Sequence, residues 1–121
     1  MIARLAMGAF LLAGLAELQT DSAFATDCGE PPMQGPIIPK GETATPDDLR
    51  VARESIVVYS GKVDTYLTCM DRRGAQLSPY MTKEQRSRYD EDLNAVHERR
   101  RQVQLDLNEQ IRVWRRNRQN G

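Results

Sequence analysis

Two stretches of the chain place apolar residues at alternating spacings of three and four, the heptad pattern of helices that pack against one another. The first runs through Leu49, Ala52, Ile56, Tyr59, Val63, Tyr66 and Met70. Thr45-Pro46 before it is typical of a helix start, because threonine caps the helix and proline fits its first position. Arg73-Gly74 after it is typical of a helix end. The pattern predicts a helix over about 46–73.

The second stretch has the same period but two polar interruptions. It consists of Tyr89, Leu93, Val96, Arg100, Val103, Leu107, Gln110 and Trp114. Polar residues such as Arg100 and Gln110 at such positions usually fix the register or the oligomeric state of the helices. Thr82 and Gln85 have the spacing of a capping box, so a second helix is predicted over about 82–117. The short connection between the two helices predicts an antiparallel hairpin.

The segment before the first helix has a different composition. Residues 29–46 hold five of the six prolines, and three glycines interrupt them. Proline fixes the backbone angle φ and removes a hydrogen-bond donor, so residues 26–45 are expected to form an extended strap. Ile37 and Ile38 are its strongest apolar anchors, and we expect both to cover part of the apolar face of the first helix.

The first 25 residues are predicted to be a secretory signal peptide. Arg4 supplies a short basic region, residues 5–16 carry no charge, and Ala-Phe-Ala at 23–25 has the small-x-small pattern of a cleavage site. A membrane-spanning helix needs about 20 apolar residues, whereas Glu17 ends this run. The sequence therefore predicts export and a periplasmic location.

Export would place Cys28 and Cys69 in an oxidising space, where two cysteines can form only one intramolecular disulfide. A mixed disulfide, a redox pair and a metal site are the competing interpretations, although the spacing is far from Cys-x-x-Cys. A strap from Cys28 to Thr45 is long enough to lie antiparallel along the first helix, with the disulfide tying it there. The predicted fold class is all-α: an antiparallel two-helix hairpin over 46–121 with an extended N-terminal strap tied by a disulfide.

Short motifs over most of the chain after residue 25 resemble a group of small secreted alphaproteobacterial proteins. The motifs are Cys28-Gly-Glu-Pro-Pro, Pro36-Ile-Ile-Pro-Lys-Gly-Glu-Thr-Ala-Thr-Pro-Asp-Asp-Leu49, Tyr59, and Tyr66-Leu-Thr-Cys69-Met. Proteins of this group share a signal peptide, a Pro/Gly strap, a helix ending in Tyr-x-x-Cys and a second helix opening with Thr-x-x-Gln. The resemblance implies a bacterial periplasmic setting, and it implies no activity and no site residue.

A second, more local resemblance concerns the start of the second helix. Met81-Thr82-Lys83-Glu84-Gln85 is similar to the Leu-Thr-x-x-Gln motif of Spy-like periplasmic chaperones, although it occurs once here and methionine replaces leucine. This similarity implies an exposed apolar surface that binds unfolded client proteins. A capping box alone also explains the spacing of threonine and glutamine.

The 17 lysine and arginine residues balance 17 aspartate and glutamate residues, which argues against a nucleic-acid binder. Arginine is nevertheless concentrated near the C-terminus, at Arg99, Arg100, Arg101, Arg112, Arg115, Arg116 and Arg118. These residues are candidates for binding an anionic partner, which would be a lipid surface, an acidic protein or the acidic body of a second copy in a homodimer. The alternative is a solvated helix whose positive charge complements the C-terminal end of the helix dipole.

The sequence offers no candidate for catalysis, a cofactor or a metal. His97 is the only histidine, and it forms no recognisable ligand set with nearby carboxylates. Asp90-Glu91-Asp92 is typical of a solvated helix face, since a thin helical layer offers no cleft for acid–base chemistry. We therefore predict a non-catalytic periplasmic interaction or structural protein whose partner is an envelope protein. The alternative is a Spy-like ATP-independent chaperone or envelope-stress accessory protein acting on unfolded clients.

Overall fold

The computed structural model describes residues 28–121, and the predicted signal peptide lies outside this part of the chain. Helix α1 spans Pro46–Leu77, a short 3-10 helix spans Ser78–Tyr80, and helix α2 spans Lys83–Asn120. The short connection turns the chain back on itself, so α1 and α2 form an antiparallel hairpin. The predicted all-α fold class, with its hairpin and disulfide, is confirmed.

Both helices begin where their capping residues predict. The Thr45 hydroxyl accepts a hydrogen bond from the Asp48 amide at 3.1 Å, and the Asp48 carboxylate accepts one from the Thr45 amide at 2.9 Å. Thr82 and Gln85 make the equivalent pair of bonds at 3.1 and 2.9 Å. Each box therefore satisfies two backbone donors at a helix end that has no intrahelical partner for them.

Helix α1 was predicted to end at residue 73, before Gly74. In the structure it continues to Leu77. A Cβ atom at Gly74 would lie 3.0 Å from Cε1 of Tyr89, which belongs to α2. The Tyr89 hydroxyl donates a hydrogen bond to the Met70 carbonyl on the same face of α1. The glycine therefore makes room for a tyrosine ring from the second helix instead of ending the first. Helix α2 likewise runs past the predicted residue 117 to Asn120.

The hydrophobic core lies between the two predicted apolar faces. Its buried members are Leu49, Ala52, Ile56, Tyr59, Val63, Tyr66, Leu67, Val96, Val103 and Leu107. Val63, Val96 and Val103 are the most deeply buried, and burial of such a side chain contributes about 1.5–3 kcal/mol. Neither helix in residues 28–121 is long and apolar enough to cross a bilayer.

The strap, residues 28–45, contacts both helices and not α1 alone. It is held by hydrogen bonds from Tyr59 Oη to the Pro32 carbonyl (2.7 Å), from Arg99 Nε to the Met33 carbonyl (3.0 Å), and from the Gly41 amide to Gln110 Oε1 (2.8 Å). Two of these three bonds involve side chains of α2. The strap therefore lies against both helices, and all three bonds use its backbone.

The expectation that Ile37 and Ile38 both cover α1 is wrong for Ile37, which is 95% exposed. Ile38 packs against the core as expected. In an extended chain successive side chains point to opposite sides, so two neighbours cannot both face the helices. Gly35 adds a close approach to α2, since a Cβ atom there would lie 2.5 Å from Cγ2 of Val103.

Candidate functional site

Cys28 and Cys69 form a disulfide, with their Cα atoms 5.6 Å apart. The bond joins the beginning of the strap to the C-terminal half of α1, so the predicted pairing is confirmed. Neither cysteine is free, and the mixed-disulfide and metal-site interpretations do not describe this structure. The covalent link closes the N-terminal end of the strap over the hairpin.

The seven arginines proposed to bind an anionic partner do not form one patch. Arg101 and Arg112 are separated by three turns of α2, about 16 Å along its axis. The group thus divides into a middle set and a C-terminal set, and each set has its own neighbours. A count of charge along the sequence cannot show this separation.

The middle set is used within the molecule. Arg99 donates to the strap carbonyl of Met33, and Arg100 pairs with Asp64 of α1. Arg101 pairs with Glu98 at 2.7 Å, and hydrogen bonding from this guanidinium lowers the pKa of the Glu98 carboxyl. The Arg99 and Arg100 contacts join α2 to the strap and to α1, whereas the Arg101 pair lies within α2. Two of the three middle arginines therefore make tertiary contacts.

The C-terminal set is partly used. Arg112 and Arg116 lie 2.8 and 3.7 Å from Glu109, and hydrogen bonding from Arg112 lowers the pKa of that carboxyl. Arg118 lies over the ring of Trp114, with its guanidinium carbon 4.7 Å from the ring centroid, in a cation–π contact. The fourth member, Arg115, points to a different environment.

Arg115 lines a cavity of about 190 Å³ at the end of the hairpin where α1 begins and α2 ends. We call this cavity the open-end hollow. Its lining consists of Pro46, Leu49, Arg50, Arg53, Ile111, Trp114 and Arg115. Leu49, Ile111 and Trp114 belong to the core or pack against it, so the floor is apolar and three guanidinium groups lie around it. The hollow thus offers one apolar space beside positive charge.

Arg50 and Arg53 also line this site, although neither was predicted from the sequence. Both lie in the first two turns of α1, more than 60 residues before Arg115. Only the antiparallel pairing of the start of α1 with the end of α2 brings them together. In the sequence, Arg53 is recognisable only as a residue beside the predicted apolar face. The α2 residues that it meets in the hollow depend on the register of the hairpin.

The two polar residues predicted on the apolar face of the second helix have specific partners. Arg100 pairs with Asp64 of α1, and the Gln110 side chain accepts the amide of Gly41. A wrong register would separate both pairs. Their position in the hairpin is therefore consistent with the predicted role in fixing register.

His97 and the acidic run Asp90-Glu91-Asp92 lie exposed on α2. Within the described part of the chain, no three side chains of the types that bind metals come together. These residues are accordingly placed on a solvated helix face.

Above pH 10 the protein is expected to lose stability. Burial raises the pKa of Tyr59, Tyr66 and Tyr89 above the usual value of about 10. The folded state then binds these protons more tightly than the unfolded state, so their contribution is complete below pH 10 and declines as the pH rises through the folded values. Urea unfolding at pH 8 and pH 11, with tyrosinate absorbance recorded in parallel, checks this. An equal midpoint at both values would contradict it.

In comparisons with known proteins, no family model, no curated protein and no solved structure matches this chain. Function is therefore inferred from the hairpin, from the strap that the disulfide joins to it, and from the open-end hollow.

Proposed function

We propose that this protein is a non-catalytic interaction module of the bacterial periplasm that binds an envelope protein. The disulfide between Cys28 and Cys69 supports this setting, because such bonds persist in oxidising compartments. The predicted signal peptide and the resemblance to secreted alphaproteobacterial proteins agree with it. The protein would act after export, with the strap closed over the hairpin.

One observation carries the proposal: three segments are fixed to each other by a disulfide and by hydrogen bonds to the strap backbone. Tyr59, Arg99 and Gln110 each hold a different point of the strap. A surface held in this way loses little conformational entropy when a partner binds, which favours affinity. The molecule therefore has the properties of a rigid scaffold that presents side chains to a partner.

A Spy-like chaperone is the second candidate, and exposed apolar side chains favour it. Ile37 is 95% exposed, and Val57 and Val58 on the outer side of α1 are 67% and 61% exposed. Unfolded clients bind to surfaces of this kind. The Thr82–Gln85 pair gives this candidate no further support, since both side chains are used by the helix cap.

Crosslinking in intact cells, followed by mass spectrometry, tests the first proposal against the second. An interaction module is expected to yield one dominant envelope partner, and the purified oxidised protein is expected to leave aggregation of a chemically unfolded client unchanged at a one-to-one ratio. The variant Ile37→Ser/Val58→Ser removes exposed apolar surface, and it should retain the crosslinked partner. If the original protein suppresses aggregation and this variant does not, the second proposal replaces the first.

A further inference from the structure

We propose that the open-end hollow binds an acidic peptide segment of the partner protein. An apolar side chain of that segment would enter the hollow, and a neighbouring carboxylate would pair with Arg53 and Arg115. This inference rests on the proposed function, since it names the chemistry that a partner must present and the residues that recognise it.

The size and floor of the hollow match a single apolar side chain. Its volume is about 190 Å³, and sites for drug-sized ligands usually have about 300–1,000 Å³. Leu49 is buried, while Ile111 and Trp114 are partly buried and pack against the core. A side chain inserted here would be removed from water. It would contact atoms that the core already holds in place. This is the arrangement of an anchor residue in a protein interface.

The charges around the hollow are not equivalent. Arg50 is occupied, because it pairs with Asp47 at 2.7 Å and with Glu54 at 2.8 Å. Among residues 28–121, Arg53 and Arg115 have no ion-pair partner. One comes from α1 and the other from α2, and both line the same space. Two unpaired guanidinium groups beside an apolar floor complement a carboxylate next to an apolar side chain.

The structure favours a peptide over a membrane surface as the occupant. Binding to anionic lipid relies on several basic residues that reach one surface together. Here Arg100, Arg101 and Arg112 pair with carboxylates of the protein itself. Arg53 and Arg115 instead line one small concave site, which suits one carboxylate and one side chain.

Trp114 provides a direct readout, because it lines the hollow and is the only tryptophan of the chain. The test titrates the oxidised protein with the peptide acetyl-Asp-Phe-Asp-amide and records tryptophan fluorescence. Two matched peptides replace either both aspartates by asparagine or the phenylalanine by alanine. The Asp-Phe-Asp peptide is expected to bind saturably and at least tenfold more tightly than either matched peptide, and added salt should weaken its binding.

Variants separate this site from general charge. Arg53→Gln/Arg115→Gln should weaken binding of the Asp-Phe-Asp peptide by at least about tenfold, since hydrogen bonds between charged groups are lost. The control Arg72→Gln/Arg88→Gln removes the same charge from exposed positions near the other end of the hairpin, and it should change the dissociation constant less than twofold. Thermal unfolding of both variants checks that each is folded.

Several results would overturn the inference. These are the absence of a saturable fluorescence change at millimolar peptide, equal affinity in the two double variants, and binding to phosphatidylglycerol vesicles that needs Arg53 and Arg115 while the peptide does not bind. Crosslinking keeps the two proposals distinguishable. If Arg53→Gln/Arg115→Gln still captures the same envelope partner in cells, the interaction function stands and the hollow is not its binding site.

Discussion

Replacing Cys28 and Cys69 by serine is expected to lower the free energy of unfolding by about 4 kcal/mol. The bond spans 41 positions of sequence, and opening it restores the freedom of a long loop to the unfolded chain. Small domains have a total stability of only about 5–15 kcal/mol, so the loss is a large fraction of the whole. Urea unfolding followed by circular dichroism measures it, with the oxidised protein as reference.

The folded state should also change locally when the disulfide is lost. The hydrogen bond from Tyr59 to the Pro32 carbonyl lies close to the N-terminal end of the strap, and it depends on the strap remaining in the groove. Chemical reduction of the original protein should reproduce the behaviour of the serine variant. Cys28→Ala/Cys69→Ala serves as the control for the polarity of serine. Equal urea midpoints for the oxidised and reduced protein would contradict the expected role of the bond.

The helices could be predicted because periodic burial leaves a direct trace in the sequence. Val63 lies at the centre of the predicted apolar face of the first helix and has 0% exposure, and Val103 on the second has 2%. Capping residues fixed both helix starts for a similar reason, since Thr45 and Thr82 act on amides only three residues away. Local interactions of this kind require no knowledge of the tertiary structure.

The end of α1 could not be predicted, because a glycine such as Gly74 is compatible with two structural roles. A glycine after basic residues commonly ends a helix, and a glycine inside a helix also permits close contact with another segment. The ring of Tyr89 decides between the two, and that residue lies on the other helix. The same limitation applies to Ile37, whose side of the strap depends on where the strap meets the helices.

The open-end hollow brings together arginines that a charge count along the sequence does not group, because Arg53 and Arg115 lie on different helices. A count along the sequence groups seven arginines as one basic region, but it does not include the carboxylates that four of them meet. Glu98 and Glu109 lie on the same helix and could have been paired by their spacing, whereas Asp64 lies on the other helix. Arg53 entered the site only through the register of the hairpin. Candidate sites between segments distant in sequence therefore require the fold.

Two glycine-to-alanine substitutions are expected to change stability in opposite directions. At Gly41 a Cβ atom would overlap the carbonyl oxygen of Gln110 and would lie 2.9 Å from the Trp114 nitrogen. Backbone cannot rotate away as a flexible side chain can, so Gly41→Ala should force the C-terminal end of the strap from α2. Overpacking costs about 1–3 kcal/mol, and the hydrogen bond to the Gln110 side chain contributes about 1 kcal/mol more. We expect a loss of about 3 kcal/mol.

Gly61→Ala is the matched control, because a Cβ atom at Gly61 would meet nothing within 4 Å. This glycine lies exposed in the middle of α1, where alanine is favoured over glycine by about 1 kcal/mol. The control should therefore unfold at a higher urea concentration than the original protein, and Gly41→Ala at a lower one, with similar slopes. A neutral or stabilising Gly41→Ala would show that the strap does not lie against α2 at this point. Because the disulfide holds the other end of the strap, hydrogen exchange in Gly41→Ala should accelerate at the amides of residues 41, 43 and 44, while exchange of the Met33 amide, which donates to the Pro31 carbonyl, stays unchanged.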